Sequence, residues 1–271
     1  MELTRRSALK SLAAGGVGLV TGTAAYGYGC AHHDLEVTRT TLPVRGLPPA
    51  LTGLRIALIT DFHRSEMVSH EQVAAAAALT NDLHPDMVVL GGDYVTWRDR
   101  RYMGPAAEAL ASLTAPYGVF AILGNHDDDR EMPAALERQG FAVLKDARTR
   151  LIIRGAAIEL AGIRFWTRSP QEIFAVIQGA SAPVILLAHD PRRLPEAAAF
   201  QIPLVLSGHT HGGQIVLPIV GALAGRKFPV LSGAARQSAT TLFVSRGVGT
   251  IYVPIRLNCP PEVALLTLQA V

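Results

Sequence analysis

The chain has 271 residues, of which 49% are hydrophobic and only 17% charged, with a net charge of +3. That composition excludes an intrinsically disordered chain and leaves ample length for a full core in one or two domains. Glu2, Arg5, Arg6 and Lys10 carry +2 of the charge, so the other residues carry +1 and give no support to a nucleic-acid-binding body. The two cysteines, Cys30 and Cys259, exclude a disulfide framework.

Residues 1–29 read as a targeting segment. Thr4-Arg5-Arg6-Ser7-Ala8-Leu9-Lys10 resembles the twin-arginine export signal, with Ala8 where Phe is more usual. Ser11 to Gly29 follows without a charge, and its six glycines make a poor interior for a buried helix. The expectation is export through the twin-arginine translocase to the periplasm or cell envelope. The segment is either cleaved among the small residues Ala24 to Gly29 or retained as a membrane tether, for which about 20 apolar residues are needed. Tyr28 disfavours lipidation of Cys30. Residues 30–50, with Pro43, Pro48 and Pro49, read as a polar linker, and 51–271 as the folded domain.

From Leu54 onward short apolar runs end abruptly in Gly or polar clusters. Arg55–Thr60, Met87–Leu90, Val119–Leu123, Val184–Ala188 and Leu204–Ser207 are rich in Ile, Val and Leu, as buried strands are. Helices are predicted over His70–His84, stopped by Pro85, and over Pro105–Leu113 and Met132–Gln139. This alternation predicts βαβ units. Shorter strands are predicted at Leu151–Arg154, Ile158–Leu160 and Ile163–Thr167, and late ones at Thr241–Ser245 and Val263–Leu268. The result is an α/β domain with two sheets flanked by helices.

The chemistry lies in what ends the five core runs. They end in Asp61-Phe62-His63, Gly91-Gly92-Asp93, Gly124-Asn125-His126-Asp127, His189-Asp190 and Gly208-His209-Thr210-His211. Ligands bind at the carboxyl ends of strands in such sheets, so five clusters converge on one place. Imidazole, carboxylate and amide donors without cysteine suit Zn, Mn or Fe in a hydrolytic site. Seven donors are too many for one tetrahedral ion and suit two ions sharing a carboxylate, which clamp a phosphoryl group and activate water. The glycines beside Asp93, Asn125 and His209 permit close approach and sharp turns.

These strings resemble the calcineurin-like metallophosphoesterase superfamily over about Leu54 to Leu268, and most closely its bacterial exported phosphodiesterases. Leu90-Gly91-Gly92-Asp93-Tyr94-Val95, Leu206–Gln214 and the late string from Arg246 to Glu262 carry the resemblance. It implies a four-layer α/β/β/α sandwich of two mixed sheets. It implies that Asp61, His63 and His211 hold one divalent ion, that Asn125, His189 and His209 hold a second, and that Asp93 bridges them. His126 would contact the phosphate and protonate the leaving oxygen, as general acid to an in-line attack by a metal-bridging hydroxide. Asp127 would orient His126 or cap a helix.

Asp93 is followed by Tyr94-Val95-Thr96-Trp97, which departs from the Gly-Asp-x-x-Asp-Arg-Gly of protein phosphatases. Phosphate recognition is therefore sought elsewhere. Arg98, Arg100 and Arg101 are one set of candidates, against a plain solvated loop. Arg256 is another, against an anchor for the late loop. The expected substrate is a small phosphodiester. The alternatives are a pyrophosphate such as UDP-2,3-diacylglucosamine, lipid-linked and met at a membrane, or a non-catalytic metal-binding envelope module. Phe62, Met67, Val68, Trp97, Tyr102 and Met103 are candidates for an apolar rim near the metals. A metallo-β-lactamase pattern is excluded, since Gly212 and Gly213 follow His211.

Overall fold

Strand alternation sorts the apolar runs onto two faces. Strand β2 (Arg55–Ile59) sends Ile56 and Leu58 one way and Ala57 and Ile59 the other. Strand β3 (Met87–Leu90) divides its residues likewise, with Met87 and Val89 against Val88 and Leu90. A strand buried on both faces needs a layer on each side, and the computed structural model shows both. It describes residues 34–225 and 227–271, with Gly18, Thr21, Gly22 and Gly27 before them. Apart from those four positions, the export and tether readings of residues 1–29 lie outside the described residues.

The first sheet has the order β1-β14-β2-β3-β4-β5, completed by β1 (Glu36–Val44), β4 (Val119–Ala121), β5 (Ala142–Val143) and β14 (Glu262–Ala270). The second has the order β12-β13-β9-β8-β7-β6. Its strands are β6 (Ala147–Ile153), β7 (Ala156–Ile163), β8 (Val184–Ala188), β9 (Leu204–Ser207), β12 (Gly233–Gln237) and β13 (Thr240–Val244). Each sheet mixes parallel and antiparallel pairs. A small hairpin, β10 (Val216–Leu217) with β11 (Gly221–Ala222), stands apart. Between the sheets, Ile56, Leu58 and Val89 pack with Leu160, Ile185, Leu187 and Leu206. Helices α1 (His70–Asp82), α2 (Met103–Ala109) and α3 (Glu131–Glu137) cover the outer face of the first sheet through Val73, Ala76, Met103, Ala106 and Met132. Helices α4 (Pro170–Ile177) and α5 (Leu194–Ala199) cover the second through Ile173, Leu194 and Ala197. The layers are α/β/β/α, as expected.

Two expectations are corrected and two helices are added. Residues 36–44 are not linker: β1 pairs in parallel with β14, from Glu36 beside Glu262 to Val44 beside Ala270. Its alternation buries Leu42 and Val44, and as an edge strand it tolerates Pro43. Ile163–Thr167 is not a strand beyond Ile163. Asp146 there accepts from Arg164 N (3.0 Å) and Thr167 Oγ1 (2.7 Å), which turns the chain. Helices α4 and α5 had no counterpart in the sequence reading, although Ser169 and Glu172 form a capping box with Pro170 at the first helical position.

Candidate metal centre

Strands β2, β3 and β4 are mutually parallel, as are β7, β8 and β9, so their carboxyl ends meet along one crevice. All five predicted clusters lie there. The chain turns abruptly at each strand end, and Asp61, His63, Asp93, His209 and His211 adopt φ of 55, 49, 55, 72 and 52°. Left-handed backbone costs about 1–2 kcal/mol for a residue with a Cβ. Its concentration on five of the seven predicted ligands marks a site that the surrounding structure enforces. Close approach also demands glycine: a Cβ on Gly124 would lie 2.6 Å from Asp93 Cγ.

Two clusters result, one of Asp61, His63 and His211, the other of Asp93, His189 and His209, with the ligand atoms within each less than 4.8 Å apart. Asp93 Oδ2 lies 3.1 Å from His189 Nε2 and 3.6 Å from His63 Nε2, so one carboxylate serves both. The donors fit cations. His63 Nε2 and His211 Nε2 face each other at 3.1 Å, an arrangement that a shared cation relieves. Asn125 Oδ1 is buried without a hydrogen-bond partner, and an amide oxygen in that state needs a ligand. His189 Nδ1 donates to Gly91 O (2.7 Å), which turns Nε2 toward the carboxylates and leaves it as the nitrogen a cation would take. The Thr96 hydroxyl steadies His63 Nδ1 (3.2 Å), and the Thr60 hydroxyl donates to Asp61 Oδ2 (2.8 Å). Neither threonine was anticipated, because Thr beside a strand end is common.

Burial holds His63 and His209 down at about 3, Asp93 only partly opposing it. Burial likewise puts His211 well below the ordinary range. These imidazoles are unprotonated, as ligands must be. Burial would lower His189 too, but the Asp93 and Asp61 charges outweigh it and push the group up to about 10. Burial, reinforced by the Asp93 charge and opposed by His189, raises Asp61 to about 6. Asp93 is held low: burial opposes this, but the His189 charge prevails.

His126 sits beside both clusters. Its Nδ1 accepts from the backbone N–H of Trp97 (3.0 Å), so the ring proton resides on Nε2. Its own N–H donates to Asp93 Oδ1 (2.9 Å). Asp127 neither orients His126 nor caps a helix. One of its oxygens accepts from Asp93 N and Gly124 N and the other from Tyr94 N, each at 2.8 Å, which ties the two strand-end loops together.

A family model for calcineurin-like phosphoesterases matches residues 54–213. The chain belongs to this family. It is 29% identical to the metallophosphoesterase YkuE of Bacillus subtilis, covering 99% of each chain. It is 30% identical to the phosphodiesterase YaeI of Escherichia coli, over 79% of this chain and 82% of that one. It is 31% identical to a Danio rerio transmembrane protein with a metallophosphoesterase domain, over 91% of this chain and 60% of that longer one. The chain is thus a metal-dependent phosphoric ester hydrolase.

Arg256, Arg100 and Arg101 of this phosphoesterase are engaged elsewhere. Arg256 is fully buried. Its guanidinium donates to the carbonyls of Gly249, Cys259, Arg246 and Gly247, so it anchors the late loop and is not a substrate contact. Arg100 and Arg101 are exposed and pair with Glu131 and Asp99, and Arg98 is exposed beside them. Of the predicted apolar rim, Phe62, Val68 and Met103 are core residues, and Met67 and Tyr102 are half-buried. Only Trp97 is well exposed. A cavity of about 370 Å³ opens on the centre, with Asp93, Asn125, His126 and His209 at its floor. Its walls are Ile215, Leu223, Phe228, Ile251, Tyr252 and Val253. Loops without periodicity give no sequence signal for such a wall.

Proposed function

We propose that this phosphoesterase is a binuclear phosphodiesterase. The observation that carries the reading is the pair of buried donor clusters sharing Asp93. Asp61, His63 and His211 would hold one divalent ion, and Asn125, His189 and His209 the other, with Asp93 contributing to both; Mn, Fe and Zn all suit the donors. Such a pair, when bound, supplies an activated water and neutralises charge developing on the phosphoryl oxygens.

The chain's own part begins with His126. Trp97 N–H fixes its Nδ1 as an acceptor, so Nε2–H is the group offered to a phosphoryl or leaving oxygen. That hydrogen bond strengthens as negative charge builds on the oxygen. The Asp93–Arg98 and Gly124–Asp127 loops are fastened to each other by Asp127 and by Arg98 N–H on His126 O (2.8 Å), which keeps the donor fixed against the clusters. A diester is favoured over a monoester by the cavity. Its apolar walls suit a second ester substituent. YaeI, the Escherichia coli relative, is a phosphodiesterase.

The test uses metal-stripped protein reloaded separately with Mn, Zn or Fe, given bis-p-nitrophenyl phosphate beside p-nitrophenyl phosphate. Metal-dependent turnover favouring the diester and lost in His126→Ala is expected. Preference for the monoester, or turnover indifferent to metal, would overturn the reading. We also infer from Arg5-Arg6 and the apolar stretch behind them that the enzyme is exported by the twin-arginine route to the periplasm or envelope. Arg5→Lys with Arg6→Lys should retain it in the cytoplasm on fractionation; unchanged export would refute this.

A further inference from the structure

Of the ten exposed large hydrophobic residues among those described, Leu223, Tyr252 and Val253 line the metal cavity, Ile219 and Val220 belong to the hairpin that leaves its wall, and Trp97 packs on Tyr252. Single exposed apolar side chains need no explanation, but a contiguous group does. The β10–β11 hairpin leaves the cavity wall at Ile215 and returns to it at Leu223, whose N–H donates to Ile215 O (3.0 Å). Its tip therefore projects from the rim. Ile219, at the tip, is fully exposed and has φ of 69°, a strained conformation for a β-branched residue. Across the mouth, Trp97 packs on Tyr252 with ring centres 5.8 Å apart, and both have positive φ, 54 and 64°. Gln214 holds the Tyr252 loop in place by donating to Ile251 O and Val253 O. A loop merely left in solvent needs neither this fastening nor an apolar edge.

We infer that this rim docks on a lipid bilayer and that the substrate is an acyl-chain-bearing phosphoester drawn from it. The phosphoester would lie at the floor beside His126, and the chain would follow Ile215, Leu223, Ile251 and Val253 outward. The apolar walls are thus continuous with the apolar rim, so a chain leaving the cavity need not cross water. Charge agrees with this occupant. Lys227 at the cavity and Arg98 beside Trp97 place cations around an apolar edge, as anionic headgroups favour. Trp and Tyr at the mouth match the side chains that settle at a membrane interface. A second copy of the chain or a peptide would fill the mouth and block the metals, whereas a bilayer delivers what the metals act on.

The substrate assignment rests on the phosphodiesterase reading; the docking does not. The test uses the full chain with Trp166→Phe, which leaves Trp97 as the only tryptophan. Phosphatidylglycerol vesicles with brominated acyl chains should quench Trp97 fluorescence, and Ile219→Asp with Val220→Asp should remove the quenching. Neither side chain lines the cavity. The double variant should therefore keep its rate on soluble bis-p-nitrophenyl phosphate while losing at least about tenfold on a long-chain phosphodiester in the same vesicles. A membrane tether outside the domain would bring the protein to vesicles without quenching Trp97. Absence of quenching, or equal quenching in the double variant, would overturn the docking. So would a dimer that buries the hairpin. Quenching as expected with no turnover of any diester would instead overturn the phosphodiesterase reading and with it the substrate assignment.

Discussion

The tightest dependence of chemistry on packing lies at Gly124. An alanine there would place its Cβ 2.6 Å from Asp93 Cγ and 2.6 Å from Asp93 N, and nearer still to Oδ1. Ordinary contact begins near 3.4 Å, so the carboxylate must retreat by roughly 1 Å. It has little freedom to do so, because Asp93 is also the acceptor for His126 N–H and lies within 3.6 Å of His63 and His189. A displacement of about 1 Å at a reacting centre costs about 10²-fold in rate, or about 2.7 kcal/mol. Gly124→Ala should therefore lower kcat for the diester by about 10²-fold while the near-ultraviolet circular dichroism stays native. Gly104 supplies the comparison. It lies in α2 with nothing within 4 Å of an added Cβ, so Gly104→Ala should leave kcat unchanged and stabilise the fold by up to about 1 kcal/mol. Steady-state rates and thermal melts of both variants decide the matter. Gly124→Ala activity within about threefold of the parent would refute the reasoning. Loss of activity accompanied by loss of native circular dichroism would show the glycine to be needed for folding alone.

Asn125→Leu removes the buried, unpartnered amide oxygen and should reduce the metal content from two ions to one per chain by elemental analysis; two retained ions would refute its role. Arg256→Ala takes the donor from the carbonyls of Gly249, Cys259 and Arg246, while Gly247 O keeps the Glu262 N–H, and each orphaned group costs about 1–3 kcal/mol. Urea unfolding should therefore show several kcal/mol lost, whereas unaltered stability with a raised KM would return Arg256 to the substrate. The metal-free protein should weaken as the pH falls from 6.5 toward 3. Burial depresses His63 and His209 to about 3 when folded, while the unfolded chain takes up these protons at about 6.5, so their contribution is present at neutral pH and lost in acid. His189 is shifted upward, so its contribution is already complete below 6.5; Asp61 and Asp127, raised mainly by burial to about 6 and about 7, take up protons when folded in this window and offset part of the loss. Urea midpoints at pH 7 and pH 5 on chelated protein test this, and equal midpoints would refute it. Restoring metal at about 100 times its Kd should recover about 2.7 kcal/mol.

The five strand-end clusters were legible in the sequence because each follows a run of four to six apolar residues. Met87–Leu90, Val184–Ala188 and Leu204–Ser207 form strands with the bounds read from composition. Asp61, His63, Asp93, His189, His209 and His211 then meet as two clusters because parallel strands bring their carboxyl ends to one edge, a consequence of topology that the order of motifs already implies. Strand β1 was hidden by its prolines and by a pairing partner more than two hundred residues away. Arg256 and Asp127 could not be placed from sequence, since a charged side chain beside a motif serves a substrate or the backbone according to what surrounds it. Only the folded chain shows four carbonyls around one and three N–H groups around the other. The tautomer of His126 likewise comes from a backbone N–H on a separate loop. Local composition therefore determined the elements and the donor types, because apolar runs and turn residues act within a few positions. The apolar mouth, the anchoring of its loops and the direction of each polar atom were decided by contacts between distant segments, which no local pattern encodes.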